Sequence, residues 1–286
     1  MDASIWLKEI LNGLVVILSV SLVGMGLFVI FGMMRVINMA HGELFMLGAY
    51  VAYGLSRVNV SFWWSLVAAP LVVGLVGMLL ERLIVRHLYQ RSDLSTLLAT
   101  WGVSIILQQL VKVVAGPQPR SVAAPFAGAV RIFGFTYPAY HLTLIVTSLL
   151  MMWGLIWVFA RTPYGIMARA AMGNPQMAGA MGINTPRLYT LSFGLGSALA
   201  GVAGALLAPL VGVLPTMGLD YLARSFFVVI MGGMTNPLGV LASGTIVGGA
   251  ESAFTVLINA TTANIVVLAV VVLVMLVRPR GLFERR

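Results

Sequence analysis

Uncharged apolar stretches follow one another almost to the C-terminus of this chain, each close to the ~20 helical residues needed to cross ~30 Å of hydrocarbon. Ile10 to Gly32, Val58 to Leu80, Leu94 to Val111, Ile132 to Ala160 and Leu188 to Val211 all qualify. The stretch from Val36 to Ser56 is also apolar, but it contains His41 and Glu43. After Tyr221 come Ser225 to Ala250 and Ser252 to Val277. The first of these is interrupted by Gly232-Gly233 and by Asn236-Pro237-Leu238-Gly239, breakers that divide it into a short piece and a longer one. The pattern predicts an all-α fold, a polytopic transmembrane helical bundle of eight or nine membrane segments, one of them short or re-entrant, in a single transmembrane domain over residues 1–286. With 60% of residues hydrophobic and only 9% charged, a chain of this length could not clothe a soluble domain in charge.

The net charge of +9 does not point to nucleic acid, because the basic residues are scattered singly between apolar runs, as topology signals are. Arg82, Arg86 and Arg91 form one group; Arg161, Arg169 and Arg187 form a second; Arg278, Arg280, Arg285 and Arg286 mark the tail. If the short C-terminal piece counts as a crossing and every other span crosses once, these three regions share the cytoplasmic side, which places the C-terminus inside and the N-terminus outside. The loop with Lys112, Arg120 and Arg131 then lies outside, against the rule, and its stretch from Gly116 to Gly134, rich in Pro and Gly, reads as an ordered or partly mobile external loop. Cysteine is absent, which removes disulfides, thiolate metal sites and cysteine nucleophiles together. Glu9 and the missing basic n-region lead us to expect that the first apolar run is retained as a span.

Polar residues inside such segments are costly, about 2.5–3.5 kcal/mol for an acid at the bilayer centre, so each is a candidate for function. Asn38, His41 and Glu43 stand close together in VINMAHGELFMLGAY. They either line a translocation path, or Arg35 and Glu43 flank a short cytoplasmic helix start around Gly42. Thr100, Ser104 and Gln108 fall one helical turn apart in LSTLLATWGVSIILQQL, with Gln109 beside them. Such a stripe suits a small polar or zwitterionic solute, or it satisfies neighbouring helices. Glu251 is the other intramembrane acid, placed either in the path or at a membrane surface. His87 and His141 lie in other segments, so no metal site is expected. Gly196, Ala200, Gly204 and Ala208 put a small residue at every fourth position, with Ser197, Gly201 and Ala205 in the adjacent row. Rows of this kind let helix backbones approach closely, for packing or at a gate.

The segment from about 161 to 187, RTPYGIMARAAMGNPQMAGAMGINTPR, is the longest expected on the cytoplasmic side. Asn174 caps a short helix with Pro175 in its first turn. Gln176, Met177, Ala178 and Met181 would give it an apolar face, fit to dock in a partner's groove or to lie on lipid headgroups. The only two lysines, Lys8 and Lys112, lie outside any G-x-x-x-x-G-K-[ST] loop, and neither HExxH nor G-x-S-x-G occurs. The chain is therefore not expected to be an enzyme or to cradle ATP itself.

The string GLFVIFGMMRVINMAHGELFMLGAY, from Gly26 to Tyr50, closely resembles the signature of bacterial branched-chain amino acid type ABC transporter permeases. RTPYGIMARAAMGNPQMAGAMGINTPRL resembles the cytoplasmic coupling segment of that family, and FVVIMGGMTNPLGVLASGTIVGG and RPRGLF resemble its C-terminal part. TLLATWGVSIILQQ is similar to the urea and short-chain amide branch. The resemblance covers essentially the whole chain. It implies an inner-membrane importer subunit paired with a second, homologous permease, served by cytoplasmic ATPase subunits and a periplasmic substrate-binding protein. ATP would be used by the partner, and this chain would bind no cofactor. The residues around Ala170, Gly173, Asn174, Met177, Ala178, Gly182 and Ile183 would dock on the ATPase. The solute would be a branched-chain amino acid, or urea or a short amide. Rival readings from other classes are a proton-coupled secondary transporter using Glu43, His41 or Glu251, an intramembrane enzyme, and a channel.

Overall fold

The computed structural model describes residues 3–282 apart from 90, 127, 133, 134, 234, 235, 279 and 280; Arg280, Arg285 and Arg286 of the basic tail fall outside them. The described residues form eleven helices: α1 (Ala3–Met34), α2 (His41–Arg57), α3 (Ser65–Leu83), α4 (Asp93–Ala115), α5 (Ala139–Arg161), α6 (Pro163–Gly173), α7 (Pro175–Ala180), α8 (Thr185–Val211), α9 (Met217–Gly232), α10 (Pro237–Leu257) and α11 (Ala260–Val277). Lipid offers no partner to a free N–H or C=O, so the chain stays helical wherever it meets hydrocarbon. Seven of the helices, α1, α3, α4, α5, α8, α10 and α11, are long and apolar enough to cross a membrane. The chain is a multi-pass membrane protein. Two shorter helices, α2 with 17 residues and α9 with 16, complete the bundle from within.

The helices start where side chains can take up free backbone donors. Ser92, Thr162, Asn174, Asn184, Asn236 and Asn259 each accept a hydrogen bond from a backbone N–H in the first turn of α4, α6, α7, α8, α10 and α11. Proline follows in the first turn of α6, α7, α8 and α10, where its missing N–H costs nothing.

The axis of the bundle is the pair α1 and α8. In α1, 83% of the most apolar stretch is buried, and in α8 72%, against 17% in α11, which therefore lies at the rim. The small-residue rows of α8 explain the closeness. A side-chain carbon added at Gly196 would lie 2.5 Å from the Gly26 carbonyl oxygen of α1, and one at Gly204 would collide with the Phe45 carbonyl of α2. Ala200 is fully buried between them. Gly201 faces α3, where an added carbon would come 2.9 Å from Val73. Three neighbouring helices thus approach α8 to backbone contact, which any larger side chain would prevent.

Two ends of the bundle can be told apart. At one end lie α6, α7 and the start of α8. At the other, Arg120 and Val213 exchange backbone hydrogen bonds of 2.9 and 2.7 Å, tying the segment after α4 to the end of α8. The stretch from Gly116 to Gly134 holds a strand among its described residues. It contributes β1 (Ala129–Ile132), antiparallel to β2 (Phe135–Pro138), with Val130 opposite Tyr137. The helix expected from Ile132 consequently starts only at Ala139.

Candidate translocation site

The polar cluster of the Val36 to Ser56 stretch owes its position to a break in helical structure. Arg35 takes a left-handed φ of 52° with its N–H making the last helical bond, to the Phe31 carbonyl at 2.8 Å, and residues 36–38 have no regular secondary structure before α2 begins at His41. His41 Nε2 lies 3.3 Å from the carbonyl oxygen of Val23, eleven residues and roughly 16 Å before the end of α1. The chain has therefore doubled back alongside α1, and α2 starts inside the bundle rather than at a membrane surface. A single turn meets it there: an added carbon on Gly42 would collide with the backbone of Gly218, in the first turn of α9, and the converse also holds. Phe45 and Tyr221 stack one turn further on, with ring centroids 4.2 Å apart. Interrupted or part-length helices of this kind bring backbone and polar side chains together at depth in many transporters.

Glu43 projects from this first turn and is fully buried. Its Oε1 accepts hydrogen bonds from Ser104 Oγ at 2.9 Å and Gln108 Nε2 at 2.8 Å, both on α4. Thr100, one turn earlier on the same stripe, accepts from Met39 N–H at 3.1 Å and lies 3.2 Å from the Ile37 carbonyl. The α4 stripe is thus the wall against which the unwound segment is held. Asn38 is 1% exposed; its Oδ1 accepts from Ala40 N–H at 3.0 Å. Three buried polar atoms here have no partner among the described residues: Asn38 Nδ2, His41 Nδ1 and Glu43 Oε2. Each such atom costs about 1–3 kcal/mol when left dry, so a concentration of them is a candidate site for hydrogen bonds to water or a solute.

The other candidates fall elsewhere. Gln109, next to Gln108 but on the outer face of α4, is exposed and does not join the group, because neighbours in a helix point about 100° apart. Glu251 lies within α10 rather than at the junction of two segments, and Arg224 of α9 pairs with it at 2.9 Å. The short piece expected to begin at Ser225 in fact begins at Met217. The ion pair with Glu251 lets α9 carry Arg224 into the bundle.

Glu81 escaped the sequence reading, which ended a span at Leu80. It is fully buried in the last turns of α3. Thr190 Oγ1 donates to it at 2.6 Å, Tyr89 Oη at 2.8 Å, and Arg86 pairs with it at 3.4 Å. The signal available was an acid directly after an apolar run with Arg86 close behind it. This cluster fastens the α3–α4 connection to the start of α8. Burial, then the hydrogen bond to Glu81, push the Tyr89 phenol well above its ordinary range, so it remains a donor.

At that same end of the bundle Asn174 Oδ1 accepts from Met177 N–H at 2.9 Å, as expected of a cap. Met177 is 60% and Met181 78% exposed, beside Ile166 at 60%. Ala170, Gly173, Asn174 and Gly182 are exposed too, and Ile183 is half-buried. Ala178 differs from the expected apolar outer face: it is 3% exposed and turned into the bundle, because a six-residue helix lying on α8 must bury one side. Arg169 holds the segment in place by donating to the Phe159 carbonyl, and Tyr164 Oη bonds Ser192 Oγ at 2.8 Å.

A bundle of membrane-crossing helices around part-length helices with buried polar groups is the architecture of a multi-pass membrane protein, with a candidate path at its polar centre. The family model described as "Branched-chain amino acid transport system / permease component" matches residues 9–276, and the chain belongs to that family. The high-affinity branched-chain amino acid transport system permease protein LivH of Escherichia coli (strain K12) is 30% identical, over 98% of this chain and 96% of its own. BraD of Pseudomonas aeruginosa, named in the same way, is 28% identical over the same shares. The probable branched-chain amino acid transport permease protein LivH of Methanocaldococcus jannaschii is 30% identical over 87% of this chain and 81% of its own. No solved structure matches.

Proposed function

We propose that this chain is a membrane subunit of an ATP-driven importer and forms part of the path by which branched-chain amino acids enter the cell. The observation that carries this is the group of unpartnered buried polar atoms at Asn38, His41 and Glu43, held between helices of a chain whose relatives are named as permease proteins of branched-chain amino acid transport. Hydrogen-bonding groups at that depth can replace the hydration of a zwitterion, while the apolar residues around them accept its side chain.

The driving force comes from a partner, since the sequence holds no phosphate-binding loop. The docking surface for that ATPase is the exposed face of Ala170, Gly173, Asn174, Met177 and Gly182 with the half-buried Ile183 at its edge, and Ala178 lies behind it as packing. A second permease subunit lies across the path, and a binding protein delivers solute at the opposite end, near Arg120. The C-terminus and α7 are then cytoplasmic and the N-terminus outside.

Uptake of radiolabelled leucine by proteoliposomes carrying this chain with its partner permease, ATPases and binding protein tests the reading. ATP inside or outside the vesicles, as the ATPase orientation requires, should drive accumulation that a protonophore leaves intact. Uptake that follows an imposed proton gradient without ATP would overturn it in favour of a secondary transporter. Uptake of urea or acetamide in preference to leucine would move the solute to the amide branch.

A further inference from the structure

At the end of the bundle opposite α7, a cavity of about 590 Å³ opens between α2, α3, α4 and Arg120. Leu47, Val76, Leu107 and Val111 make most of its wall apolar. Its polar groups are of one kind. Arg57 and Arg120 bring two guanidinium groups, Tyr50 and Tyr53 bring phenols, and no acidic side chain is among the described lining residues. Arg57 Nη1 donates to Tyr53 Oη at 3.2 Å, and the Arg120 guanidinium stands 5.8 Å from the centre of the Tyr53 ring. Arg120 Nη2 is engaged by the Ala115 carbonyl at 2.8 Å, but its Nε is buried without a partner among the described residues, and so is Tyr50 Oη. Two donors without acceptors, positive charge without a counter-ion and apolar walls together specify a ligand: an anionic acceptor of two hydrogen bonds carried on an apolar body. A carboxylate meets a guanidinium in that way, through paired N–H donors.

We propose that this cavity is a solute station of the permease, in which Arg120 and Tyr50 Oη hold the carboxylate of an apolar amino acid and Leu47, Leu107 and Val111 surround its side chain. The identity of the ligand rests on the function proposed above; the preference for a carboxylate rests on the cavity alone. Leu47 follows Glu43 by one turn on the same face of α2, so the station borders the polar cluster at the helix start. Tyr50 lies roughly 10 Å further along α2 than Glu43, too far for one α-amino acid to reach both. The two are successive positions: carboxylate held first at Arg120, and the unpartnered Glu43 Oε2 available to the ammonium deeper in.

Photo-leucine, the diazirine analogue of leucine, tests the station in the reconstituted complex, with adducts mapped by peptide mass spectrometry. Adducts on the peptides bearing Leu107 and Val111, suppressed by excess leucine and unaffected by leucinol, are expected. Arg120→Gln should abolish them. Because Arg120 also supports the chain at Ala115, Tyr50→Phe is the second variant: it removes only an unpartnered oxygen and should raise the half-saturating leucine concentration roughly tenfold. Adducts found only elsewhere, or equal competition by leucinol, would overturn the station. Octanoate competing better than leucine would also overturn it, leaving a site for fatty carboxylates. Leucine uptake that proceeds without labelling of the cavity defeats the station alone. A complex that labels the cavity but never accumulates leucine defeats the proposed function and leaves the carboxylate preference standing.

Discussion

Gln108 on α4 donates from Nε2 to Oε1 of Glu43 on α2 at 2.8 Å, and this bond joins the helix that carries the polar stripe to the helix that begins inside the bundle. Ser104 donates to the same oxygen, so the carboxylate presents one satisfied face to α4 and one unsatisfied oxygen, Oε2, away from it. The geometry separates holding Glu43 in place from whatever Glu43 meets.

Changes at the two partners should therefore read differently. Gln108→Leu leaves Ser104 as the single α4 donor to Oε1 and is expected to cost about 1–3 kcal/mol of stability. Glu43→Gln keeps the shape and the contact with Ser104, so the complex should melt close to wild type while leucine uptake falls at least several-fold. Melting curves of the detergent-solubilised complex set beside initial uptake rates separate the two; a Glu43→Gln complex with full uptake would remove Glu43 from the path.

Exposure distinguishes two positions one residue apart in α7. Met177→Asp places a charge where the side chain is already 60% exposed, so insertion and folding should be kept while the coupling of ATP hydrolysis to uptake is lost. Ala178→Asp buries an unpaired carboxylate where exposure is 3%, and reduced membrane abundance is expected instead. Quantitative immunoblotting of membranes alongside coupled ATPase and uptake assays checks both. Normal transport by the Met177→Asp variant would remove the docking assignment.

The approach of α8 to its neighbours makes glycine obligatory at Gly204, where an added carbon meets the Phe45 carbonyl. Gly204→Val should lower the melting temperature by the equivalent of about 1–3 kcal/mol or prevent assembly. Gly102→Ala is the control, since nothing lies within 4 Å of the added carbon, and it should be neutral or slightly stabilising through helix propensity.

Arg224 and Glu251 should behave as a unit. Arg224→Leu strands the carboxylate inside the bundle and Glu251→Leu strands the guanidinium, so each is expected to destabilise, while the double variant recovers part of the loss. A double-mutant cycle on thermal stability should give a coupling of roughly 0.5–3 kcal/mol. Additive effects would show that the pair contributes nothing.

Much of the fold could be read along the chain because its causes are local. Apolar length reports spans, Asn174-Pro175 reports a helix start, and Gly232-Gly233 with Asn236-Pro237 reports the gap between α9 and α10. The stripe Thr100, Ser104, Gln108 was also visible, since it needs only helical periodicity. Its counterpart was not. Nothing local says that this stripe faces the chain from Ile37 to Glu43, or that Gln109 turns outward. Glu81 was missed for the same reason: its donors Thr190, Tyr89 and Arg86 come partly from another helix, and without them an acid beside arginines looks like a surface residue.

The sequence by itself determined that this protein lives in lipid as a helical bundle, because hydrophobicity and helix starts are properties of short stretches. Only the tertiary structure decided that α2 begins inside the bundle, that Glu43 and Gln108 meet while Glu251 belongs to Arg224, and that Ala178 faces inward. Those facts depend on which helices become neighbours, as the glycine faces of α8 show where they let α1, α2 and α3 approach to backbone contact, and no single stretch of sequence specifies its neighbours.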